Sequence, residues 1–307
     1  MEEGRGRRLR RRLKALLLLA VLAAAALVYL NYPPNLLTGL LSDRGRKPGF
    51  YTVLLTGTMD GYNTDTIMMA ALDTRAEQVR IVSIPRDTMI ESDARNRKIN
   101  ACYGRGGVEE LLRCVRQVTG IEPDFQVMVD VEGFMDLVDL VGGVDFYVPY
   151  DMYHLDAEER FTIDLEEGFA HLDGNHALQL VRYRGTSRSD LGRMDVQKEF
   201  LQAFVRTFRD HFRLTDLPDI ARVVGENLQI DLSLREIQWF YRQVSACMEQ
   251  AGSITVATLP VGQTGYYNSQ SYVFLDPEGT VDMLNDMVNP YTEDLTAEDV
   301  TICSMPE

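Results

Sequence analysis

The chain predicts an α/β (α+β) sandwich: a central mixed β-sheet flanked by helices, with an N-terminal transmembrane helix ahead of it. Two observations carry this expectation. From Phe50 onward, short apolar runs ended by Gly or Pro alternate with segments whose apolar residues recur at spacings of three and four, with no internal repeat. Ahead of them, sixteen uncharged residues from Ala15 to Leu30 follow a cluster of arginines.

Residues 1–14 carry seven basic side chains against Glu2 and Glu3, a net charge of +5. A helical bilayer span needs about 17 or more apolar residues. The Ala15–Leu30 run reaches that length with Leu13 and Tyr32, and Lys14 can snorkel to the interface. The expected span is 15–32, with residues 1–14 as a cytoplasmic head and the body outside the membrane. A cleaved signal peptide is the rival, because Ala24-Ala25-Ala26 offers small residues, but the apolar run continues to Leu30 without a polar cleavage region. Residues 33–49, rich in Gly, Ser, Arg and Pro, read as a linker.

The body, 50–307, divides into a core at 50–212 and an extension at 213–307. Tyr51–Leu55, Thr66–Leu72 and Gln78–Ile84 are strand candidates, the last two joined by a hairpin connection at Asp73-Thr74-Arg75-Ala76. Val108, Leu111, Leu112, Val115 and Val118 mark a helix that Gly120 ends. Gln126–Val131 predicts a strand, Phe134–Val141 a helix closed by Gly142-Gly143, and Val144–Val148 a strand before Pro149. Residues 150–160 are polar and predicted irregular. A short strand at Thr162–Leu165 and a helix from Gly174 to Arg182 follow. Asp190 is a suitable N-cap for a long helix. Two more helices are expected near 219–227 and 233–249, then a strand at Ile254–Leu259, a Gly/Tyr/Asn/Ser-rich loop, and a last helix near 278–288.

The whole chain has a net charge of −15, so the remainder beyond residue 14 carries −20. That disfavours broad binding to a polyanion such as DNA. Any bound anion belongs in a local basic pocket. An exported body permits disulfides. Cys102 with Cys114 and Cys247 with Cys303 is one of three connectivities, and free buried thiols are the alternative. His154, His171, His176 and His211 fit no triad or metal spacing. Tyr266, Tyr267 and Tyr272 either stack on sugars or simply pack.

The strand at Gln78–Ile84 stops at Pro85, and Arg86-Asp87 follow at its end, where sheet proteins tend to place ligand chemistry. Asp190, Arg193 and Gln197 share one stripe of a helix in its first two turns, where free N–H groups already attract anions. Arg182, Arg184 and Arg188 lie just upstream, so residues 182–193 are basic within an acidic body. Asp65 opens a strand after a Gly-containing loop. Carboxylates beside arginines at strand ends suit a Mg²⁺–phosphate site. The alternatives are a solvated basic turn and an Arg86–Asp87 ion pair sealing a strand end.

The ordered set Leu54-Leu55-Thr56-Gly57-Thr58, Thr64-Asp65-Thr66-Ile67-Met68, Ser83 to Thr88, Lys98-Ile99-Asn100-Ala101, Gly142-Gly143-Val144, Val181-Arg182-Tyr183-Arg184, Asp190-Leu191-Gly192-Arg193 and Gln197 resembles the LytR–CpsA–Psr family. The resemblance is strong over about residues 50–212 and looser to 307. It implies a membrane-bound phosphotransferase that moves a glycopolymer (teichoic acid, capsule or other wall polysaccharide) from a polyprenyl-pyrophosphate carrier to peptidoglycan. It also implies an apolar tunnel for the prenyl chain. By motif match, Arg86, Arg182, Arg184 and Arg193 clamp the pyrophosphate, with Lys98 and Gln197 in support. Asp65, and Asp60 if its loop shifts, hold Mg²⁺ or Mn²⁺. Asp87 and Asp190 orient arginines or take the acceptor proton.

The chain departs from that family pattern in three places. Met59 stands where an aspartate is usual, with Asp60 one place late, and Asn63 and Val196 stand where arginine is common. The departures near Met59 and Asn63 favour the alternative of a non-catalytic envelope protein that binds polyprenyl pyrophosphates. Transcriptional regulation, a description also attached to the family, is disfavoured because the acidic body lies across the membrane from DNA.

Overall fold

The computed structural model divides into residues 1–42 and 43–307. It describes residues 44–58, 61–156, 161–183, 189–211, 228–230, 232–248 and 254–305. Among them no helix is long and apolar enough to cross a membrane. The expected span at 15–32 lies outside the described residues, as does the helix expected near 219–227.

A six-stranded mixed sheet forms the centre, in the order β10-β3-β2-β1-β4-β9. Its strands are β1 (Phe50–Thr58), β2 (Thr64–Asp73), β3 (Gln78–Ser83), β4 (Phe125–Val129), β9 (Leu228–Ile230) and β10 (Ile254–Thr258). β1 runs antiparallel to β2 and parallel to β4. It is central because it is apolar on both faces: Leu54 joins one buried cluster, and Tyr51, Val53 and Leu55 join the other. Thr52, buried on β1, donates its hydroxyl to Asp124 Oδ2 at 2.9 Å.

The first face is covered by α1 (Cys102–Thr119) through Leu111, Val115 and Val118, and by a C-terminal helix (Pro277–Met287) through Leu284 and Met287. The second is covered by a helix at Leu234–Met248, whose Trp239 and Phe240 rings meet Tyr51 edge-on at 4.9 and 5.9 Å. That burial pushes the Tyr51 hydroxyl up to about 12. Ser233 and Glu236 exchange capping hydrogen bonds at the start of this helix, satisfying two otherwise orphaned N–H groups. The extension is thus part of the sandwich, since β10 pairs in parallel with β3 and β9 pairs with β4.

A second core packs α2 (Val131–Leu140), α3 (Gly174–Arg182) and α4 (Ser189–His211) against two ribbons. The ribbons are β5 (Val144–Val148) with β8 (Gly168–Leu172), and β6 (Met152–Asp156) with β7 (Phe161–Leu165). Asp130 caps α2 through the Gly133 N–H at 2.8 Å, and Asp173 caps α3 through the His176 N–H at 2.9 Å.

Several expectations are corrected. Residues 152–156, expected irregular, form β6, because Met152 is buried and its strand pairs with β7. The Gly/Tyr/Asn/Ser-rich segment is a hairpin, β11 (Val261–Tyr267) with β12 (Gln270–Leu275), turning at Asn268 and Ser269 with φ 49° and 63°. Tyr272 is fully buried there, and Tyr266 is exposed. α4 begins at Ser189, so Asp190 is its second residue rather than its cap. Cys102 and Cys114 are bridged. Cys247 and Cys303 are free, because they lie in separate apolar clusters, and burial pushes both thiols up. The end of the expected linker is tied to the body: the Lys47 N–H donates to the Pro290 carbonyl at 2.8 Å, and Arg46 forms a bridge with Tyr291.

Candidate active site

The β2–β3 hairpin builds the charged centre. Met68 faces Ser83, and the Ile84 N–H still reaches the Ile67 carbonyl at 2.9 Å. Carried past the ladder, that register sets Asp65 opposite Arg86. The contact forms: Arg86 Nη1 donates to Asp65 Oδ1 at 2.6 Å, with both side chains largely buried. Pro85 ends the strand, and a tight turn follows in which the Thr88 N–H and hydroxyl donate to the Pro85 carbonyl at 3.0 and 2.6 Å.

Lys98 enters from the segment before α1. Its ammonium lies 2.8 Å from Asp87 Oδ1, whereas Arg86 Nε is 4.0 Å from Asp87 Oδ2. Asp65 therefore orients Arg86, and Asp87 chiefly holds Lys98. The backbone locks the segments together. The Ile99 N–H donates to the Thr88 carbonyl at 2.9 Å, the Asn100 N–H to the Arg86 carbonyl at 3.2 Å, and the Thr64 hydroxyl to the Asn100 carbonyl at 3.3 Å. Opposite Thr64, the β1 strand is irregular at Gly57/Thr58, a distortion that sheets commonly carry beside functional sites.

A cavity of about 230 Å³ opens beside this centre, between the sheet and α2, α3 and α4. Its walls are apolar, with Leu55, Met68, Phe134, Leu137, Leu178 and Phe204 prominent. Thr56, Thr58, Asp65, Thr66 and Gln197 supply its polar lining. Gln197 Nε2 donates to the Val181 carbonyl at 2.9 Å, so it clamps α4 to the C-terminal turn of α3 at the wall of the cavity. Arg182 is the next residue along and is half-buried.

The structure therefore brings together Asp65, Arg86, Asp87 and Lys98, and sets Gln197 on the wall of the cavity that Asp65 also lines. Arg193 lies one turn ahead of Gln197 on α4. The side chains of Asp190 and Arg193, and residues Asp60 and Arg184 altogether, lie outside the described residues. The cavity's wall residues were not singled out as a binding surface by sequence reasoning. Their signal is ordinary core periodicity, and only packing shows which core positions leave a gap. Among the described residues, the one grouping of His, Cys, Asp or Glu close enough to share a metal is Cys102, Glu110 and Cys114, whose sulfurs are bonded to each other.

The site is an apolar slot beside paired carboxylates and cations, at the strand ends of an α/β sandwich. The chain belongs to the LytR_cpsA_psr family, whose model matches residues 36–289. It is 30% identical over 254 residues to the Bacillus subtilis polyisoprenyl-teichoic acid–peptidoglycan teichoic acid transferase TagV, covering 78% of this chain and 63% of that protein. It is 28% identical over 212 residues to the Bacillus cereus transferase TagU, covering 67% of this chain and 68% of TagU. The crystal structure of B. subtilis TagV superposes with a TM-score of 0.66 at 26% identity, covering 78% of this chain and 96% of that one. A structure of TagT bound to LIIa-WTA shares the fold, with a TM-score of 0.67 at 22% identity, covering 81% of this chain and 94% of that one.

Proposed function

We propose that this protein is a phosphotransferase that moves a glycopolymer from a polyprenyl-pyrophosphate carrier to peptidoglycan outside the membrane, anchored through residues 15–32. The observation that carries this is the junction of the apolar cavity with the Asp65–Arg86 pair. A prenyl chain gains roughly 0.8 kcal/mol for each buried CH₂. An oxyanion head beside it can take charge-assisted hydrogen bonds from guanidinium and ammonium groups. Family membership and the transferase names of TagV and TagU point the same way.

In this mechanism Arg86 and Lys98, fixed by Asp65 and Asp87, bind the pyrophosphate, with Arg182, Arg184 and Arg193 as further cationic contacts. A sugar hydroxyl of peptidoglycan attacks the phosphorus next to the polymer. A phosphodiester forms, the bond to the bridging oxygen breaks, and polyprenyl phosphate leaves. The acceptor proton passes to a carboxylate, for which Asp87 and Asp190 are the candidates. The residues fit a hard divalent cation, Mg²⁺ or Mn²⁺. Asp65 would offer a carboxylate oxygen at the cavity, and such ions take one or two carboxylates together with phosphate oxygens. Asp60 is the second candidate ligand. When bound, the ion would neutralise charge on the phosphoryl oxygens.

The test is transfer by the full chain in detergent, given lipid-linked donor, acceptor glycan and Mg²⁺. Polymer-linked glycan supports the transferase. Binding of donor without turnover supports the non-catalytic binder, which Met59 and Asn63 favour. Salt-dependent DNA binding by the body would instead support a regulator.

A further inference from the structure

α1 is not one continuous helix. Gly106 (φ −156°, ψ 22°) and Gly107 (φ 66°, ψ −153°) interrupt it after its first turn. Gly107 holds a backbone conformation that L side chains rarely adopt. The turn Cys102–Arg105 is therefore cut off from the hydrogen-bond ladder that holds residues 108–119. Its cap, Ala101, has no side chain able to accept from the orphaned N–H groups. What attaches this turn across the break is the Cys102–Cys114 disulfide. Both sulfurs are buried in the core against the first face of the sheet.

The stretch tethered in this way is the one that carries the site. Cys102 directly follows Lys98-Ile99-Asn100-Ala101. That stretch supplies the ammonium on Asp87 and two backbone bonds, to the Thr88 and Arg86 carbonyls. Arg105 adds a second strap: its Nη2 lies 3.8 Å from Glu110 Oε1 and 3.9 Å from Cys114 Sγ across the break, and its Nη1 donates to the Asn96 carbonyl at 2.8 Å. A polar cleft of about 700 Å³ is lined by Arg97, Arg105, Glu110 and Arg113, and two of these, Arg105 and Arg113, lie 3.1 Å from Cys102 Sγ and 4.0 Å from Cys114 Sγ.

We propose that the Cys102–Cys114 disulfide is a positioning element for the anion site: by bridging the Gly106-Gly107 break it holds Lys98 and Asn100 against Arg86 and Asp87. This rests on the functional reading of that site given above. Its consequence is a redox-sensitive affinity for the anionic head of the substrate. A dithiol opens the bridge by thiolate attack on one sulfur. Its second thiol then resolves the mixed disulfide, so two electrons and two protons pass to Cys102 and Cys114, and the reductant becomes a cyclic disulfide. The first turn is then joined to the rest of α1 through the two glycines, the Arg105 contacts and side-chain packing.

The test compares oxidised full chain, the same protein reduced with dithiothreitol, and Cys102→Ala/Cys114→Ala. The first readout is hydrogen exchange of the Ile99, Asn100 and Ala101 amides, which needs no ligand. In the reduced protein these amides should accelerate at least tenfold more than the β1 and β2 amides do. Equal exchange would overturn the proposal, and so would uniform acceleration across the domain, which marks a general loss of stability. The second readout is affinity for a polyprenyl phosphate. Reduction should weaken it about tenfold in the wild type but less than twofold in Lys98→Ala, because the tether acts through Lys98. Losses that multiply in the two backgrounds would mean the disulfide acts elsewhere. If the oxidised wild type binds no polyprenyl phosphate, the functional reading fails, while the exchange measurement still decides the tether. The reduced wild type keeps the comparison valid should the double variant not fold.

Discussion

Arg86 shows how a single side chain gains a role from its surroundings. Its guanidinium is oriented by Asp65 at 2.6 Å, at the end of an apolar cavity. Removing one such electrostatic contact commonly costs about 10²–10³ in rate. Arg86→Ala should lose transfer by that factor while still melting cooperatively as a folded protein, measured as initial rates beside a thermal melt. Asp173 makes a prediction at the same scale. The backbone hydrogen bond from His176 is the first cause holding its carboxyl below the ordinary aspartate range, with the His176 side chain also contributing. A depressed carboxylate stabilises the fold above its unfolded value, near 3.9, and loses that contribution as pH falls through the lower folded value. Asp173→Ala should therefore cost about 0.5–2 kcal/mol at neutral pH, toward the low end because the side chain is exposed. The gap between variant and wild-type melting should close as pH falls well below about 3.9.

At the scale of elements, the hairpin β2–β3 is the part of the site the sequence came nearest to revealing. Apolar runs marked both strands, and Asp73-Thr74-Arg75-Ala76 marked the turn. The register Asp73↔Gln78 then leads outward to Asp65 and Arg86 as partners. The spacing alone left Arg86 to be paired with its neighbour Asp87, because turn length, and so register, is not legible before the turn residues are known. β11–β12 was missed for another reason. Both strands of that ribbon have solvent-facing positions, and its Gly, Asn and Ser residues resemble loop composition. Asn and Ser do take the positive φ of its turn, so the turn signal was real, but the flanking strands had little alternation to announce them. α1 also has a stability prediction. Removing the Cys102–Cys114 bridge, which closes a short loop, should cost about 2–4 kcal/mol, read as a lowered denaturation midpoint.

Across the whole molecule, the sandwich and the second core meet at the cavity, and this junction was not legible in the chain. Leu55 and Met68 come from the sheet, Phe134 and Leu137 from α2, Leu178 from α3, and Phe204 from α4. Each has the periodicity of an ordinary core residue, and a gap between core residues leaves no mark on periodicity. The family resemblance supplied the expectation of a tunnel, and the packing supplies its walls. Filling the gap should separate binding from folding. Leu178→Trp should weaken binding of a long-chain polyprenyl phosphate about tenfold or more, while overpacking costs roughly 1–3 kcal/mol of stability. Inorganic pyrophosphate, which needs no apolar wall, should bind the variant and the wild type alike.

The most direct measurement is calorimetric titration of the full chain in detergent with three ligands: a polyprenyl phosphate, the matching polyprenol without phosphate, and inorganic pyrophosphate. A slot and a charged head-site acting on one molecule should make the polyprenyl phosphate bind about 10²-fold or more tighter than either half, with the advantage lost in Arg86→Ala. Equal affinity for the polyprenol and its phosphate, or an advantage untouched by Arg86→Ala, would contradict a single site that joins the apolar cavity to the Asp65–Arg86 pair.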